Sequence, residues 1–403
     1  MTISTTISVS RRRIGAILGC LAALGPLSID AYLPAMPAMA TDFGTDQGAV
    51  QLSLMAFFLG LTLGQLVYGP LSDRHGRKPP TYAGLTLFVA GSLACAFAPT
   101  PSALLAARFC QGLGGSIGMV ISIAVVRDLY SGHAAASLMA LIVMVLGVAP
   151  VVAPLIGSLA VTLSGWPAIF FFLAAFGAAV LAAVSLGLPE TRRPEQRRPG
   201  GAAAVAARYG SLIVNRRFLP FVASLAIAQG GFFAFISASP EVFVGHFGLS
   251  PVTYSLLFAL DAAALMLVSR LNVNLLRRFG FRTVVRAALL VYAAAALLLA
   301  AAVLTGVAPL VLVAVATLVV VASMGAILPT LNIMTMESFG AIAGSAAALI
   351  GACQFGGGAL ASGLVGSLSD GTPTPMAVTI AVCGVASLLI ALFAFPAPAP
   401  QQA

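Results

Sequence analysis

Three charged side chains stand where charge is expensive. Asp30, Arg108 and Asp261 each lie inside a long apolar stretch. A charge at the centre of a membrane-spanning helix costs about 2.5 to 3.5 kcal/mol to insert, so such a residue marks either a functional site or a buried pair. Asp30 sits in the outer third of the first stretch, and Arg108 comes at comparable depth in the fourth. A carboxylate and a guanidinium at one depth can pair, which makes both tolerable. Arginine does not release its proton, so Asp30 is the group able to exchange one, with Arg108 setting its readiness to do so. The plainer reading is that Asp30 only caps or kinks its helix ahead of Pro34. Asp261 falls near the middle of the eighth stretch with no cation at its depth. It reads as a second proton site or a contact for a cationic substrate. The alternative is a protonated acid hydrogen-bonded to a neighbouring helix.

Around these charges, Tyr32, Gln111, Gln229, Phe232, Phe233 and Phe235 offer rings and a few amides. That is the wall an apolar or amphipathic compound needs. Enzyme chemistry has no footing. His75, His133 and His246 are dispersed at the ends of apolar stretches, and no metal-ligand spacing, phosphate loop or nucleophile elbow accompanies them. The five cysteines all fall inside apolar stretches and read as packing residues. No metal and no cofactor is expected.

The elements that must hold these residues follow from composition. With 60% hydrophobic and 8% charged residues and a mean hydropathy of +1.06, the chain is excluded from the ordinary soluble class. Its basic balance reads as loop arginine facing anionic lipid, not as a nucleic-acid surface. Twelve apolar spans of roughly 20 residues are expected, each long enough to cross a bilayer as a helix. They cover 14–36, 49–71, 81–98, 102–126, 136–161, 167–188, 219–239, 251–271, 284–307, 309–332, 344–368 and 376–395. Every Lys and Arg other than Arg108 falls on the side of the N-terminus, so the positive-inside rule puts both termini in the cytoplasm. Trp166 opens the sixth span on the outer face, and the acids Asp42, Asp46, Glu241 and Asp370 fall in the outer loops. Glu241 and Glu337, at span ends, are expected to face water.

Arg11 to Arg13, an apolar run and Ala38-Met39-Ala40 resemble a secretory signal. The run is long and carries Asp30 and prolines, and its removal would break the charge alternation, so a retained first helix is expected. Residues 189–218, rich in Arg, Pro and Gly, read as a cytoplasmic linker between a bundle over 1–188 and another over 219–403. The two halves echo each other: Asp73-Arg74-His75-Gly76-Arg77-Lys78 follows the second span and Arg277-Arg278-Phe279-Gly280-Phe281-Arg282 the eighth. Parallel repeats of this kind place a substrate site at their interface near the midplane. Spans 3, 6, 9 and 12 have no Asp, Glu, Asn or Gln in their interiors, so every third helix is expected to face lipid.

Gly64-Gln65-Leu66-Val67-Tyr68-Gly69-Pro70-Leu71-Ser72-Asp73-Arg74-His75-Gly76-Arg77-Lys78 resembles motif A of the major facilitator superfamily. Arg108-Phe109-Cys110-Gln111-Gly112-Leu113-Gly114 resembles motif B. Ala149-Pro150, Ala153-Pro154 and Gly157-Ser158 resemble the antiporter motif C, with alanine where glycine is usual. Pro26 to Pro34, Val126-Arg127-Asp128-Leu129-Tyr130 and Leu188-Pro189-Glu190-Thr191 are similar to segments of the Bcr/CflA drug:proton antiporters. The resemblance covers nearly the whole chain. It implies an all-α membrane protein of twelve helices in two pseudo-symmetric six-helix bundles, in the bacterial inner membrane and monomeric. It implies efflux of small hydrophobic or amphipathic compounds by alternating access, driven by the proton gradient. The alternatives on the same fold are export of an amino acid, peptide or siderophore, or uptake. The expected partners are the substrate, the proton and the lipid bilayer, with no nucleic acid. The resemblance also links Arg108 to proton coupling and makes Gly64, Gly69, Asp73, Arg74, Gly76, Arg77 and Asp128 a gate. In that gate the acid of motif A, Asp73, rests on the start of the eleventh span, near Gly344, when the cytoplasmic side is closed. Gly69 would permit close helix approach and Gly76 a tight turn.

Overall fold

A computed structural model describes residues 11–192, 195, 202–337, 339 and 342–395. Both chain ends, with the expected placement of the termini, and Arg193, Arg197 and Arg198 of the linker lie outside the described residues. The described chain is helical, with no strand: α1 (Arg11–Asp30), α2 (Met36–Phe43), α3 (Gln47–His75), α4 (Lys78–Ala96), α5 (Pro101–Gly115), α6 (Ile117–Leu129), α7 (Gly132–Ser164), α8 (Pro167–Gly187), α9 (Ala202–Ile213), α10 (Leu219–Pro240), α11 (Pro251–Phe279), α12 (Phe281–Leu304), α13 (Leu310–Met336), α14 (Ala343–Ser367) and α15 (Thr374–Phe393).

Two helix breaks fall where proline removes a backbone donor, and a third follows a run of glycines. Pro34 has no N–H to reach the Asp30 carbonyl, so α1 stops at Asp30 and a 3-10 turn, Leu33–Ala35, leads into α2. Span 4 is interrupted at Ser116 after a glycine-rich turn, and the Ser116 hydroxyl bonds back to the Leu113 carbonyl at 2.8 Å. Pro240 likewise cannot serve the Ile236 carbonyl. Ser239 Oγ takes that carbonyl at 3.1 Å, and the chain continues as a π-helical turn, Glu241–His246.

Among the described residues, eleven helical stretches are long and apolar enough to cross a bilayer, counting α1 with α2, α5 with α6, and α10 with the π-helical turn after it as single stretches. The expected third span corresponds to α4, whose 19 residues cover about 28 Å. It opens on Lys78, Pro79, Pro80, Thr81 and Tyr82, which dilute its apolar content. It packs between α5 and α8.

Two seams join helices that precede α9 to helices that follow it: α3 against α14, and α7 against α11. The helices at the expected spans 3, 6, 9 and 12, namely α4, α8, α12 and α15, contribute no residue to the lining of either cavity described below, as expected of helices that face lipid. The most exposed helices are α7 and α11, with 22% and 28% of their apolar windows buried. Both nonetheless meet along their seam and line the central cavity, so a helix can be exposed over much of its surface and still serve the cavity.

Candidate functional site

A cavity of about 230 Å³ lies between the two seams. Asp30 of α1 and Asp261 of α11 both line it, one from each side of α9 in the sequence. Phe232, Phe233 and Phe235 of α10 form much of the wall, joined by Phe258 of α11 and Phe355 of α14. The rings interlock: Phe233 stacks on Phe355 at 5.8 Å between centroids, and Phe235 lies nearly parallel to Phe258 at 6.3 Å. Both carboxyls are more than nine-tenths buried, and neither makes a hydrogen bond or ion pair to another described residue. Both are within electrostatic range of the Tyr254 hydroxyl, which is bonded to Ser239 at 2.8 Å. Among the described residues, no Lys or Arg lines the cavity.

The expected pair of Asp30 with Arg108 is not formed. Arg108 is fully buried and turns to the other side of α1, where Nη1 donates to the Ser28 carbonyl at 3.2 Å. Residues two apart on a helix point about 200° away from one another, so equal depth did not mean a shared face. The Ser28 carbonyl is available because α1 ends two residues later. Arg108 Nη1 also donates to Gln111 Oε1 at 2.6 Å, and Gln111 Nε2 passes the chain to Ser92 Oγ at 2.8 Å. The guanidinium lies 4.4 Å from the Tyr32 ring centroid and 4.2 Å from that of Phe57. Arg108 Nε and Nη2 have no hydrogen-bond partner among the described residues. Tyr32 and Gln111 therefore surround Arg108 and do not line the cavity. Gln229 also lies outside the lining, with its Oε1 unpartnered.

At the end of the bundle that carries α9, hereafter the linker side, charges form a connected cluster. Arg77 clasps Asp128 through Nε at 2.7 Å and Nη2 at 3.1 Å, and reaches Asp73 through Nη1 at 3.0 Å. Arg192 holds the same Asp73 oxygen at 2.9 Å, and Thr191 donates to Asp128 at 2.9 Å. Glu190 accepts from the backbone N–H groups of Arg77 and Lys78 at 2.8 and 3.0 Å, capping α4. Burial alone would lower the Arg77 pKa, but Asp128 and Asp73 outweigh it and raise it. Gly76, at φ 92°, makes the turn between α3 and α4 that brings Arg77 back to Asp73. Arg74 points to solvent.

A second cavity of about 520 Å³ separates Asp73 from the start of α14, where Ala343, Gly344 and Ser345 line its far wall. Asp73 makes no hydrogen bond to that helix start among the described residues. Gly69 has no neighbour within 4 Å of a Cβ built on it, nor has Gly344. Gly69 thus borders open space and permits no close helix approach here. Gln65 and Met119 line both cavities, so the central one continues towards the linker side.

Opposite, on the distal side, the same two helices touch. A Cβ on Gly48 of α3 would collide with the Gly366 carbonyl of α14. At mid-seam, a Cβ on Gly351 would sit 3.1 Å from the Gln65 carboxamide. Gln51 of α3 donates to Glu241 at 2.5 Å, and Ser369 donates to the same carboxylate. Glu241 therefore does not face water, as its place at a span end suggested. It is buried between three helices, whereas Glu337 is exposed. The proline-bearing segment of α7 lies between the cavities and the distal seam. Pro150 lines the central cavity, the Pro154 carbonyl accepts from Ser255 of α11 at 3.1 Å, and Gly157 abuts the Ala31 carbonyl. Gly64 packs on Ser116. Gln65, a polar residue inside the second span and so expected to turn inward, does line the cavity; sequence reasoning overlooked Phe258 and Phe355, which only a knowledge of which helix faces meet could have selected.

A membrane-embedded helical bundle enclosing a solute-sized pocket, open at one end and pinched at the other, is the build of a small-molecule carrier. The chain belongs to the Major Facilitator Superfamily, whose model matches residues 18–362. It is 35% identical to the MFS-type transporter YdgK of Bacillus subtilis over 93% of both chains. It is 31% identical to a bicyclomycin resistance protein homolog of Haemophilus influenzae, covering 93% of this chain and 94% of the relative. These relatives bear out the resemblance to the Bcr/CflA drug-resistance group. The crystal structure of a D-xylose-proton symporter is 15% identical, covers 96% of this chain and 98% of its own, and superposes with a TM-score of 0.75, a likeness of fold.

Proposed function

We propose that the chain exports small hydrophobic or amphipathic compounds, drugs and antibiotics among them, in exchange for protons across the bacterial inner membrane. The observation that carries this reading is the pair of unpartnered carboxyls, Asp30 and Asp261, set in an otherwise apolar, aromatic cavity. Rings and aliphatic walls bind a compound by burial without demanding one shape. A buried carboxyl with no cation beside it is costly when charged, so it favours either a proton or a cationic guest. Mutual exclusion of proton and guest at such a site is the chemistry of antiport.

The arginine-rich linker side is taken as cytoplasmic, because loops rich in Lys and Arg stay inside. The conformation described then faces inward, with its cavity continuing past Gln65 to the cytoplasm and its distal end shut. Residues 1–188 and 219–403 act as two halves that rock about the α3–α14 and α7–α11 seams, with 189–218 as their linker. The similarity to a bicyclomycin resistance protein homolog supports a drug as cargo.

Purified protein in liposomes with an imposed pH gradient tests the reading. A panel of amphipathic antibiotics should move against the direction of proton flow, and the movement should stop when a protonophore collapses the gradient. Movement of an amino acid, peptide or siderophore alone would assign a metabolite exporter. Flux that persists without the gradient would remove proton coupling.

A further inference from the structure

On the distal side, a single carboxylate ties three helices across the boundary between the halves. Glu241 Oε2 accepts from Gln51 Nε2 at 2.5 Å, while Oε1 accepts from Ser369 Oγ and from the Gly371 backbone N–H, the latter at 3.2 Å. Gln51 belongs to α3 of the first half. Glu241 follows α10 and Ser369 follows α14, both in the second half. Gln51 is fully buried, and its Oε1 has no partner. A buried amide left half unsatisfied is costly, so the bond it does make to a charged acceptor must hold it there. Among the described residues, no Lys or Arg pairs with Glu241. The titratable groups on the elements packed here are His246, whose ring bonds the Gly371 carbonyl at 3.2 Å, Asp370, whose carboxyl is held below its usual range by hydrogen bonds from Thr372, and Asp46, which accepts from the Ala49 backbone N–H at 2.7 Å beside Gly48. The carboxylate is therefore balanced by neutral donors alone, and one of the three comes from the opposite half.

The backbone explains why this contact can be made and unmade. The π-helical turn after Pro240 swings Glu241 towards the seam, and Gly48 and Gly366 let α3 and α14 meet backbone to backbone beside it. Opening the central cavity to the distal side requires these helix ends to part. Of the three hydrogen bonds to Glu241, only the one from Gln51 crosses the parting line.

We propose that Glu241 is the latch of the distal gate: it holds the outer end of α3 through Gln51 and releases it when the cavity opens outward. The proposal rests on the alternating-access reading above, and it concerns a residue that touches no substrate. Glu241 acts as a positioning residue, by biasing one conformer over the other.

The test reads accessibility without transport. In full-length protein with its five native cysteines replaced, Met266→Cys places one thiol in the central cavity. Right-side-out vesicles are treated with a membrane-impermeant maleimide. Glu241→Ala and Gln51→Ala should each raise the labelling rate about tenfold, the worth of a hydrogen bond to a charged acceptor. The double variant should label no faster than either single one. Glu241→Gln should fall between, because the Gln51 amide can turn to present its free oxygen. The exchange Gln51→Glu with Glu241→Gln rebuilds a donor–acceptor pair and should return the rate towards that of the parent. That return separates a latch from a general loosening of the fold. Unchanged labelling in variants that remain monodisperse, additive effects in the double variant, or failure of the exchange to restore the rate would each overturn the latch. Labelling needs no cargo, so these outcomes stand apart from any failure to find a transported drug.

Discussion

Asp30 carries the first expectation at the scale of single residues. Asp30→Asn keeps the volume and removes the titratable group from the cavity, so gradient-driven export should fall at least about tenfold while insertion and thermal stability stay near the parent. Uphill pumping with an unchanged pH profile in liposomes would take the proton from Asp30. Arg108 now calls for a different argument from the one depth suggested. Its guanidinium is held by stacking on Tyr32 and Phe57 and by Nη1, which donates to both the Ser28 carbonyl and Gln111, not by an acid. Arg108→Lys keeps the charge but loses the planar stack, so melting in detergent should drop by about 1 to 2 kcal/mol as well as coupling suffering. Normal stability with lost coupling would instead point to a direct role in proton movement. Asp30 and Asp261 were legible in the sequence because the cost of inserting a carboxyl is large wherever it points. The partner of Arg108 was not legible, because sequence gives depth along a helix and not the face. Glu241 was misjudged for a related reason: a span end is wet only if no neighbouring helix covers it.

At the scale of elements, the helices themselves follow from long apolar runs punctuated by proline, and Pro34 marks the end of α1 as its missing N–H requires. The break at Ser116 was hidden, since a glycine-rich turn inside an apolar run is compatible with a continuous helix. Motif C, read from sequence as an antiporter signature, gains a steric content. A methyl on Gly157 would press on the Ala31 carbonyl, backbone against side chain, with no flexible tip to yield. Gly157→Ala should therefore cost about 1 to 3 kcal/mol and push α7 off the end of α1. Gly210, inside α9 with open space around it, supplies the control. Gly210→Ala should leave the melting temperature unchanged or raise it slightly, by the helix preference of about 0.5 to 1 kcal/mol. Equal melting of both variants would mean that the α1–α7 contact gives way freely.

For the whole molecule, the question is how the charge cluster on the linker side reports on the distal latch. In the conformation described, Asp73 is shared by Arg77 and Arg192 and faces the start of α14 across a cavity of about 520 Å³. Its side chain is 42% exposed, so these ion pairs contribute little, on the order of 0 to 1 kcal/mol, and removing them should not by itself reshape this conformer. If the linker side closes, Asp73 comes over the free N–H groups of α14, where a negative charge is favoured by about 1 to 2 kcal/mol in a partly buried setting. The two conformers thus differ in what Asp73 gains, and only the closed one loses much when the charge goes. Asp73→Asn should shift the population towards the linker-side-open form by roughly five- to thirtyfold. Turnover should slow while substrate affinity stays level, because Asp73 does not line the central cavity. Spin labels on the linker-side ends of α3 and α14 would show the longer distance gaining weight, and labels on their distal ends would show the shorter one gaining with it. A weakened substrate Kd with both distance distributions unchanged would move Asp73 from gate to binding site. A longer linker-side distance without a shorter distal one would break the mechanical link between the cluster and Glu241, and the two ends of the seam would then have to open independently.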